Sequence, residues 1–295
     1  MARTRFRSDR GLSLRMGGVG LGLGLLYVAF GAVLIYNTNM VFGLVIVIGM
    51  AWGQWYFSDS LALKSMRAKV VTPEQAPELH AMIDRLCVLA DMPKPTVAVA
   101  QTDMPNAFAT GRTPKHSAVC VTTGIMQRLT ADELEGVLAH ELAHVANRDV
   151  SVMTVASTLG LLAGFITRWG LFFGGGRNNR GALPFIIVLL VSVVVYFLSF
   201  LLTRALSRYR ELSADRSGAY LTGRPSQLAS ALTKISGDMS RIPNQDLRDK
   251  QALNAFFIAP ALSRESMGAL MSTHPPLEQR LQNLAKVGAE LSEPM

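Results

Sequence analysis

The sequence TADELEGVLAHELAHVA occupies residues 130–146 and carries the clearest structural signal in the chain. Thr130 is followed three residues later by Glu133, a capping-box pattern that predicts the start of a helix. Apolar residues then recur at helical spacing, at Leu134, Val137, Leu138, Leu142 and Val145. Because His140 and His144 are four residues apart, a helix projects both imidazoles from one face, within reach of a single metal ion.

Glu141 stands between these two histidines on the predicted helix. Successive residues of a helix are rotated by about 100°, so this carboxylate lies beside the face that carries the imidazoles. It can therefore act on a water molecule held by a metal ion without binding the metal itself. The alternative is that both histidines only pack against polar neighbours.

A second helical segment, Arg208–Leu221, offers a further metal ligand. Catalytic zinc usually takes three protein ligands and keeps its fourth position for water. Glu211 and Asp215 are four residues apart and share a face, so we predict that Glu211 completes the set and that one Zn²⁺ binds per chain. Asp215 is then placed to accept a hydrogen bond from the outer nitrogen of a ligand imidazole. The alternative is a solvated acidic face that pairs with Arg208 or Arg210.

The distribution of charge predicts a membrane protein. Only 17% of the residues are charged and 49% are hydrophobic, a low charge content for a soluble chain. No charged residue occurs between Arg15 and Asp59 or between Arg180 and Arg204. Four apolar stretches approach the ~20 residues that cross a bilayer as a helix: Met16–Tyr36, Met40–Phe57, Val150–Thr167 and Gly181–Thr203. They predict two transmembrane hairpins, at residues 16–57 and 151–203.

The orientation follows from the basic residues. Five of them precede the first apolar stretch: Arg3, Arg5, Arg7, Arg10 and Arg15. Residues 37–39, between the first two stretches, contain no Lys or Arg, so the positive-inside rule predicts that the basic N-terminus, residues 1–15, is cytoplasmic. The basic residues beside the second hairpin are divided more evenly between the two sides of the membrane. This orientation places Arg168, Arg177 and Arg180 outside and Arg204, Arg208 and Arg210 inside. A cleavable signal peptide is the alternative, but the apolar run exceeds a signal core.

Residues 58–150 and 204–295 remain, and we predict that they form two halves of one cytoplasmic domain interrupted by the second hairpin. The first half indicates a helix followed by strands: Pro77–Ala90, then Thr96–Ala100, an edge strand at Asn106–Thr110, and Ala118–Thr122. The second half is predicted to be helical throughout. The predicted class is therefore α+β, mainly α, in a multi-pass membrane protein.

Composition also excludes several classes of function. The net charge of +8 clusters beside apolar stretches, where contact with anionic lipid headgroups explains it, and no nucleic-acid motif accompanies it. The predicted spans contain no Asp, Glu or Lys, which argues against a transporter. Cys87 and Cys120 are too few for a disulfide framework and are expected to be buried thiols. His80 and His116 fit no part of the site.

Together these motifs resemble those of the HtpX family of membrane zinc metalloproteases, gluzincins related to the CAAX prenyl endoproteases. The resemblance runs over most of the chain and rests on Asn106–Gly111, His140–His144, Arg210–Asp215, and His274-Pro275-Pro276 followed by Arg280. It implies a zincin-like protease domain in the bacterial cytoplasmic (inner) membrane. It also implies quality control and stress response, with membrane or misfolded proteins cleaved on the cytoplasmic side.

The same resemblance implies roles for individual residues. His140, His144 and Glu211 would bind zinc, and Glu141 would be the general base. The edge strand, with Asn106, Ala107, Phe108 and Ala109, would bind substrate backbone by strand addition, while Gly111 permits close approach. An ordinary strand and turn is the alternative for that segment.

Two further residues carry looser implications. His274 would stabilise the oxyanion or temporarily occupy the open coordination site, unless it is a structural histidine before two prolines. Arg280 would bind substrate carbonyls, unless it is a surface arginine on an amphipathic helix. For the whole chain, the alternative to a protease is a catalytically silent membrane scaffold that keeps zinc for folding. The intact Glu141 favours the protease, and the sequence indicates no oligomeric state.

Overall fold

The computed structural model describes residues 10–37, five positions between 45 and 53, and residues 55–173, 182–241 and 274–292. The N-terminal residues 1–9 and most of the second apolar stretch lie outside the described residues. The same is true of the turn between the third and fourth stretches and of the segment that precedes His274.

Nine helices and four strands make up this described part of the chain. The helices are α1 (Arg10–Asn37), α2 (Ser58–Ser65), α3 (Pro77–Ala90), α4 (Thr123–Arg128), α5 (Ala131–Ala146), α6 (Asp149–Phe173), α7 (Ala182–Thr222), α8 (Pro225–Arg241) and α9 (Leu277–Ser292). The strands are β1 (Lys69–Val70), β2 (Thr96–Ala100), β3 (Ala107–Thr113) and β4 (His116–Thr122). The predicted α+β, mainly α class is confirmed, and so is the predicted helix at α3.

The four strands form one sheet in the order β1-β2-β4-β3. Strands β2 and β4 are parallel, whereas β1 and β3 run antiparallel to their neighbours. The predicted edge strand is confirmed as β3, which begins one residue later than expected and extends to Thr113. No strand pairs with the other side of β3 in the described part of the chain, so a further strand can add along that edge.

The main core lies between the sheet and helices α3, α5, α8 and α9. Its largest fully buried side chains include Ile83, Leu86, Ile125, Leu138, Leu142, Leu228, Leu232 and Ile235. Each buried side chain of this kind stabilises the fold by roughly 1.5–3 kcal/mol. Helix α5 is buried along almost its whole length, because the sheet covers one side and α7 and α8 cover the other. The predicted active-site helix is therefore the central element of the core.

Two helices in the described part of the chain are long and apolar enough to cross a membrane, at Leu14–Val33 and Ile186–Thr222. Within the second, charged residues begin at Arg204, so its apolar part ends at Thr203. Many large apolar side chains of both helices point outward, among them Leu21, Leu25, Val28, Leu190 and Phe197, each more than half exposed. An apolar surface of this extent is what contact with lipid requires.

Helix α6 coincides with the third predicted stretch but is longer, because it begins at Asp149 and continues to Phe173. It packs against α1 and α7 through small apolar clusters, one of which contains Leu23, Ala156 and Leu206. Helix α7 is continuous through its apolar part and its charged part. The helix predicted over Arg208–Leu221 is thus the last third of a 41-residue helix.

The capping box that begins α5 is confirmed. Thr130 accepts a hydrogen bond from the backbone N–H of Glu133, and the Glu133 carboxylate accepts one from the backbone N–H of Thr130. Ser230 and Lys234 of α8 also donate to that carboxylate, at 2.6 and 2.8 Å. Although burial alone would raise the pKa of Glu133, these donors hold it at about 2. One carboxylate therefore joins the start of α5 to α8.

We expect Glu133→Ala to reduce the free energy of unfolding by about 2 kcal/mol, since it removes both the helix cap and the carboxylate to which Ser230 and Lys234 donate. Asp132→Ala is the matched control, because Asp132 is exposed and its partner Arg224 is also exposed; its effect should stay below about 1 kcal/mol. Thermal unfolding of the purified chain in detergent measures both, and equal losses would contradict the assignment.

The contribution of Glu133 also has a defined pH dependence. Its pKa is lower in the folded protein than in the unfolded chain, so folding is favoured when the carboxylate is ionised. We expect the stability difference between wild type and Glu133→Ala to be fully present above pH 4.5 and to vanish as the pH falls toward 2. A difference that persists unchanged at pH 2 would contradict this.

Candidate metal centre

The structure brings together the three predicted metal ligands. Helix α5 supplies His140 and His144, whose Nε2 atoms are 3.2 Å apart. Helix α7 supplies Glu211, whose Oε2 lies 3.7 Å from Nε2 of His140 and whose Oε1 lies 3.3 Å from Nε2 of His144. One ligand atom from each residue lies within 4.8 Å of the other two.

The spacing of these atoms fits zinc. Zinc bonds nitrogen and oxygen at roughly 2.0–2.2 Å, so two ligand atoms of a tetrahedral site are about 3.3–3.6 Å apart. The two imidazole nitrogens are 3.2 Å apart, and each lies 3.3 or 3.7 Å from one oxygen of the carboxylate, so all three separations are close to that value. Two imidazole nitrogens and a carboxylate are also one of the donor sets found in catalytic zinc sites.

Each of the two histidines is fixed through its outer nitrogen by a buried carboxylate. Nδ1 of His140 lies 3.0 Å from Asp215, as the sequence predicts. Nδ1 of His144 is hydrogen-bonded to Asp149, which the sequence analysis missed. A carboxylate at Nδ1 requires the hydrogen there and leaves the lone pair of Nε2 directed at the shared centre.

Both carboxylates are in turn paired with buried arginines. Arg280 donates to Asp215 through Nε and a terminal nitrogen, at 2.8 and 2.6 Å. Arg210 contacts Asp149 at 2.6 Å. Arg280 is only 3% exposed, so the alternative reading of this residue as a surface arginine is wrong. The alternative of a solvated acidic face is also wrong, because Glu211 and Asp215 are both buried.

Glu141 is not among the three converging ligands and occupies the adjoining position that its place in the helix predicts. Its carboxylate is buried and accepts a hydrogen bond of 2.8 Å from the backbone N–H of Ala109. The pKa of Glu141 is raised to about 7, chiefly by burial and also by the charge of Glu211, although His144 and the N–H of Ala109 oppose the shift. A carboxyl group with such a pKa can both take up and release a proton near neutrality.

The contact with Ala109 brings the edge strand to the site. Asn106 is fully buried, and its carbonyl accepts a hydrogen bond from Thr122 of β4. Antiparallel strands alternate the side to which their backbone groups point, so Ala107 and Ala109 direct theirs away from β4. Phe108 instead packs into a small core cluster on the other side of the sheet.

Gly111 marks an irregularity in the register of β3 with β4. Its φ of +130° is strained for any residue with a side chain, and a Cβ there would lie 2.3 Å from the carbonyl oxygen of His116. Glycine is therefore required by the strand pairing itself.

His274 lies beside the predicted ligand set, with Nδ1 at 3.0 Å from Glu211. It is 7% exposed and immediately precedes α9, the helix that carries Arg280. The two prolines after it separate it from the first turn of that helix. The structure thus places His274 next to the metal ligand that comes from α7, and its role stays a prediction.

The two remaining histidines lie away from this centre. His80 is buried in the main domain, with Nε2 at 3.0 Å from the carbonyl oxygen of Val71. His116 is exposed at the start of β4. Both cysteines are buried and free, as expected for packed thiols.

Gly218 is a second residue that the sequence analysis missed. It lies in α7, one turn after Asp215, where this helix crosses α5. A Cβ added at Gly218 would be 2.8 Å from the backbone nitrogen of His140 and 3.0 Å from the carbonyl carbon of Ala139. The absence of a side chain thus lets the two ligand-bearing helices touch through their backbones.

Comparisons with known proteins agree on one family. The profile of peptidase family M48 matches residues 73–287. The chain is 54% identical over 295 residues to "Protease HtpX homolog 1" of Streptomyces coelicolor, covering 98% of this chain and 97% of the relative. It is 49% identical over 291 residues to "Protease HtpX homolog 2" of Methanosarcina acetivorans, covering 98% and 99%.

A solved structure shares the fold. The crystal structure of S. mikatae Ste24p superposes with a TM-score of 0.50 at 16% sequence identity. The match covers 94% of this chain and 66% of that one, so the chain spans just under two thirds of its structural neighbour.

We expect Gly218→Ala to weaken divalent-metal affinity by at least about tenfold, because α7 must move away from α5 and carry Glu211 with it. Alanine favours the helix itself by roughly 1 kcal/mol, so a loss of affinity reports the crossing and not helix formation. Gly237→Ala in α8 is the control, since a Cβ there meets nothing within 4 Å. Competition with a chelator measures both variants, and equal affinities would contradict the assignment.

Proposed function

The chain belongs to peptidase family M48, and from that membership we propose that it is a membrane-embedded zinc endopeptidase. In this proposal it hydrolyses peptide bonds of membrane or misfolded proteins on the cytoplasmic side of the bacterial cytoplasmic membrane. The observation that carries the proposal is the convergence of His140, His144 and Glu211 beside a buried carboxylate, Glu141, that is not itself a ligand.

The ligand set supports one zinc ion per chain, held by the two imidazoles and by Glu211. Zinc in such a site polarises both a water molecule and the carbonyl of the scissile bond. Asp215 and Asp149 keep each imidazole in the tautomer that leaves Nε2 free. Arg280 commits two donors to Asp215, so we assign it a positioning role in place of the predicted contact with substrate carbonyls.

Glu141 is assigned as the general base. Its carboxylate accepts a proton from the attacking water as the oxygen bonds to the carbonyl carbon. The same group then gives that proton to the amine nitrogen as the carbon–nitrogen bond breaks. His274, beside Glu211, is assigned as the donor that stabilises negative charge on the carbonyl oxygen.

Strand β3 is assigned as the substrate platform. An extended substrate would add along its outer edge and pair with the outward-facing backbone groups of Ala107 and with the carbonyl of Ala109. Because the N–H of Ala109 already contacts Glu141, a substrate aligned on this strand lies next to the general base. Backbone pairing of this kind accepts many sequences, which suits an enzyme that removes damaged proteins.

A catalytically silent zinc-binding scaffold is the second candidate, and Glu141 distinguishes it from the enzyme. Burial of a carboxylate has a substantial desolvation cost. A scaffold would gain nothing from Glu141, since the metal ligands and their partners are complete without it. The burial of this group beside the edge strand therefore favours the protease.

We expect Glu141→Gln to retain zinc at wild-type occupancy and to reduce cleavage of casein by about 10²–10⁴-fold, since it removes only the proton acceptor. Glu211→Ala should instead lose zinc together with activity. Metal content of the purified chain and casein cleavage, with and without chelator, measure both variants. Full activity in Glu141→Gln would exclude the proposed mechanism, and full zinc occupancy without Glu211 would exclude the third ligand.

We also expect the loop after the first span to face away from the cytoplasm. A cysteine introduced by Thr38→Cys should react in intact cells with a maleimide that cannot cross the membrane, whereas one introduced by Lys64→Cys should react only after lysis. The native thiols give little background, because burial raises the pKa of Cys87 to about 11 and that of Cys120 to about 12. Reaction of the Lys64→Cys variant in intact cells would contradict the topology.

A further inference from the structure

Three aromatic rings form a cluster at the end of the second apolar stretch. We define the aromatic cluster as Trp52, Tyr56 and Phe57. Trp52 stacks on Tyr56 at 5.2 Å between ring centroids, and Phe57 meets Tyr56 edge-on at 4.9 Å. The three side chains are 59%, 38% and 52% exposed, so together they form an exposed apolar patch, a feature that marks interaction sites.

The aromatic cluster is attached to the end of the edge strand. The guanidinium of Arg112, in β3, lies 4.4 Å from the ring centroid of Tyr56 and also donates to the Tyr56 carbonyl at 3.0 Å. The neighbouring Trp55 donates to Ser151 at 2.8 Å, and Ser151 donates to the carbonyl of Arg112 at 2.9 Å. Polar contacts therefore join the cluster, strand β3 and the first turn of α6.

The chemistry of this surface fits the headgroup level of a bilayer. Trp and Tyr concentrate at that level, where an apolar ring meets lipid and its polar edge meets water. The cluster closes a run without charged residues. Beyond Asp59, three basic residues follow at Lys64, Arg67 and Lys69. Such residues attract anionic headgroups. A protein partner has no comparable support in the described residues.

The distance from the cluster to the reacting centre is short. Ala109, which contacts Glu141, precedes Arg112 by three residues of extended strand, or about 10 Å. Helix α7 gives an independent measure, because Glu211 follows Thr203, the last residue of the uncharged run, by eight residues, or about 12 Å. Strand β3 and helix α7 thus each place the metal centre only a few residues of extended chain away from the end of an apolar stretch.

We propose that the aromatic cluster docks the end of β3 at the lipid headgroups, so that the enzyme accepts chain segments within a few residues of their exit from the membrane. This inference rests on the proposed protease function and specifies its substrate class. Soluble chains reach the same strand only when they are long enough to approach the bilayer surface.

The position of the cluster is tested in vesicles of phosphatidylglycerol and brominated phosphatidylcholine. Fluorescence quenching of the wild type minus that of Trp52→Phe reports Trp52 alone. We expect bromine near the headgroup to quench Trp52 more strongly than bromine at the chain ends. The opposite order, or no quenching by either lipid, would overturn the inference.

The substrate class is tested with one casein-derived peptide attached to lipid in the same vesicles. Two tethers are compared. The short tether has about four residues, which reach at most about 14 Å, and the long tether has about 20 residues. The wild type should cleave both at similar rates. The double variant Trp52→Ser, Phe57→Ser should lose at least about tenfold on the short tether and remain within about twofold on the long one.

Val88→Ser provides the matched control, since Val88 is 81% exposed in α3, outside the predicted spans, and its loss should leave both rates unchanged. Cleavage of the long tether alone by the wild type would overturn the inference and leave the protease function intact. Equal short-tether rates in the wild type and the double variant would also overturn it. Failure to cleave either peptide would instead contradict the proposed function.

Discussion

The backbone contact between α5 and α7 at Gly218 is the constraint on which the site depends. His140 and Glu211 are far apart in the chain, and neither helix carries a complete set of ligands. Only a crossing without an intervening side chain brings the carboxylate within 3.7 Å of both imidazoles. Because α5 is also the central helix of the core, the packing that stabilises the domain also positions the metal ligands.

Charged pairs also join the two helices at this crossing, because His140 of α5 faces Asp215 of α7 and His144 of α5 faces Glu211 of α7. Each ligand histidine is backed by a carboxylate and each carboxylate by an arginine, in the series His140–Asp215–Arg280 and its counterpart through Asp149. Buried carboxylates are tolerable only when they are paired and hydrogen-bonded, and both of these are. The first series also binds α9 to α7, so the C-terminal helix takes part in fixing the orientation of an imidazole.

The sequence was sufficient for the parts of the site that depend on local periodicity. The spacing of neighbouring residues was enough to predict the capping box, the two histidines, Glu141 and the strand at β3. Glu211 could be predicted from the coordination chemistry of zinc. Asp149 could not be predicted, since a charged residue between a motif and an apolar stretch is equally well explained as marking the end of that stretch. Gly218 and the buried pairing of Arg280 depend on contacts between distant segments, which no periodicity reveals.

The link between membrane and catalytic centre follows from the continuity of three elements. Helix α7 passes from its apolar part to Glu211 without a break, and α6 begins at Asp149, the residue that holds His144. Strand β3 reaches the aromatic cluster through Arg112. A rigid helix of 41 residues does not bend freely, so any tilt of its apolar part would carry Glu211 with it. Two further attachments, through α6 and β3, oppose such a tilt, so in the proposed membrane protease lipid contact would help to fix the positions of the ligands.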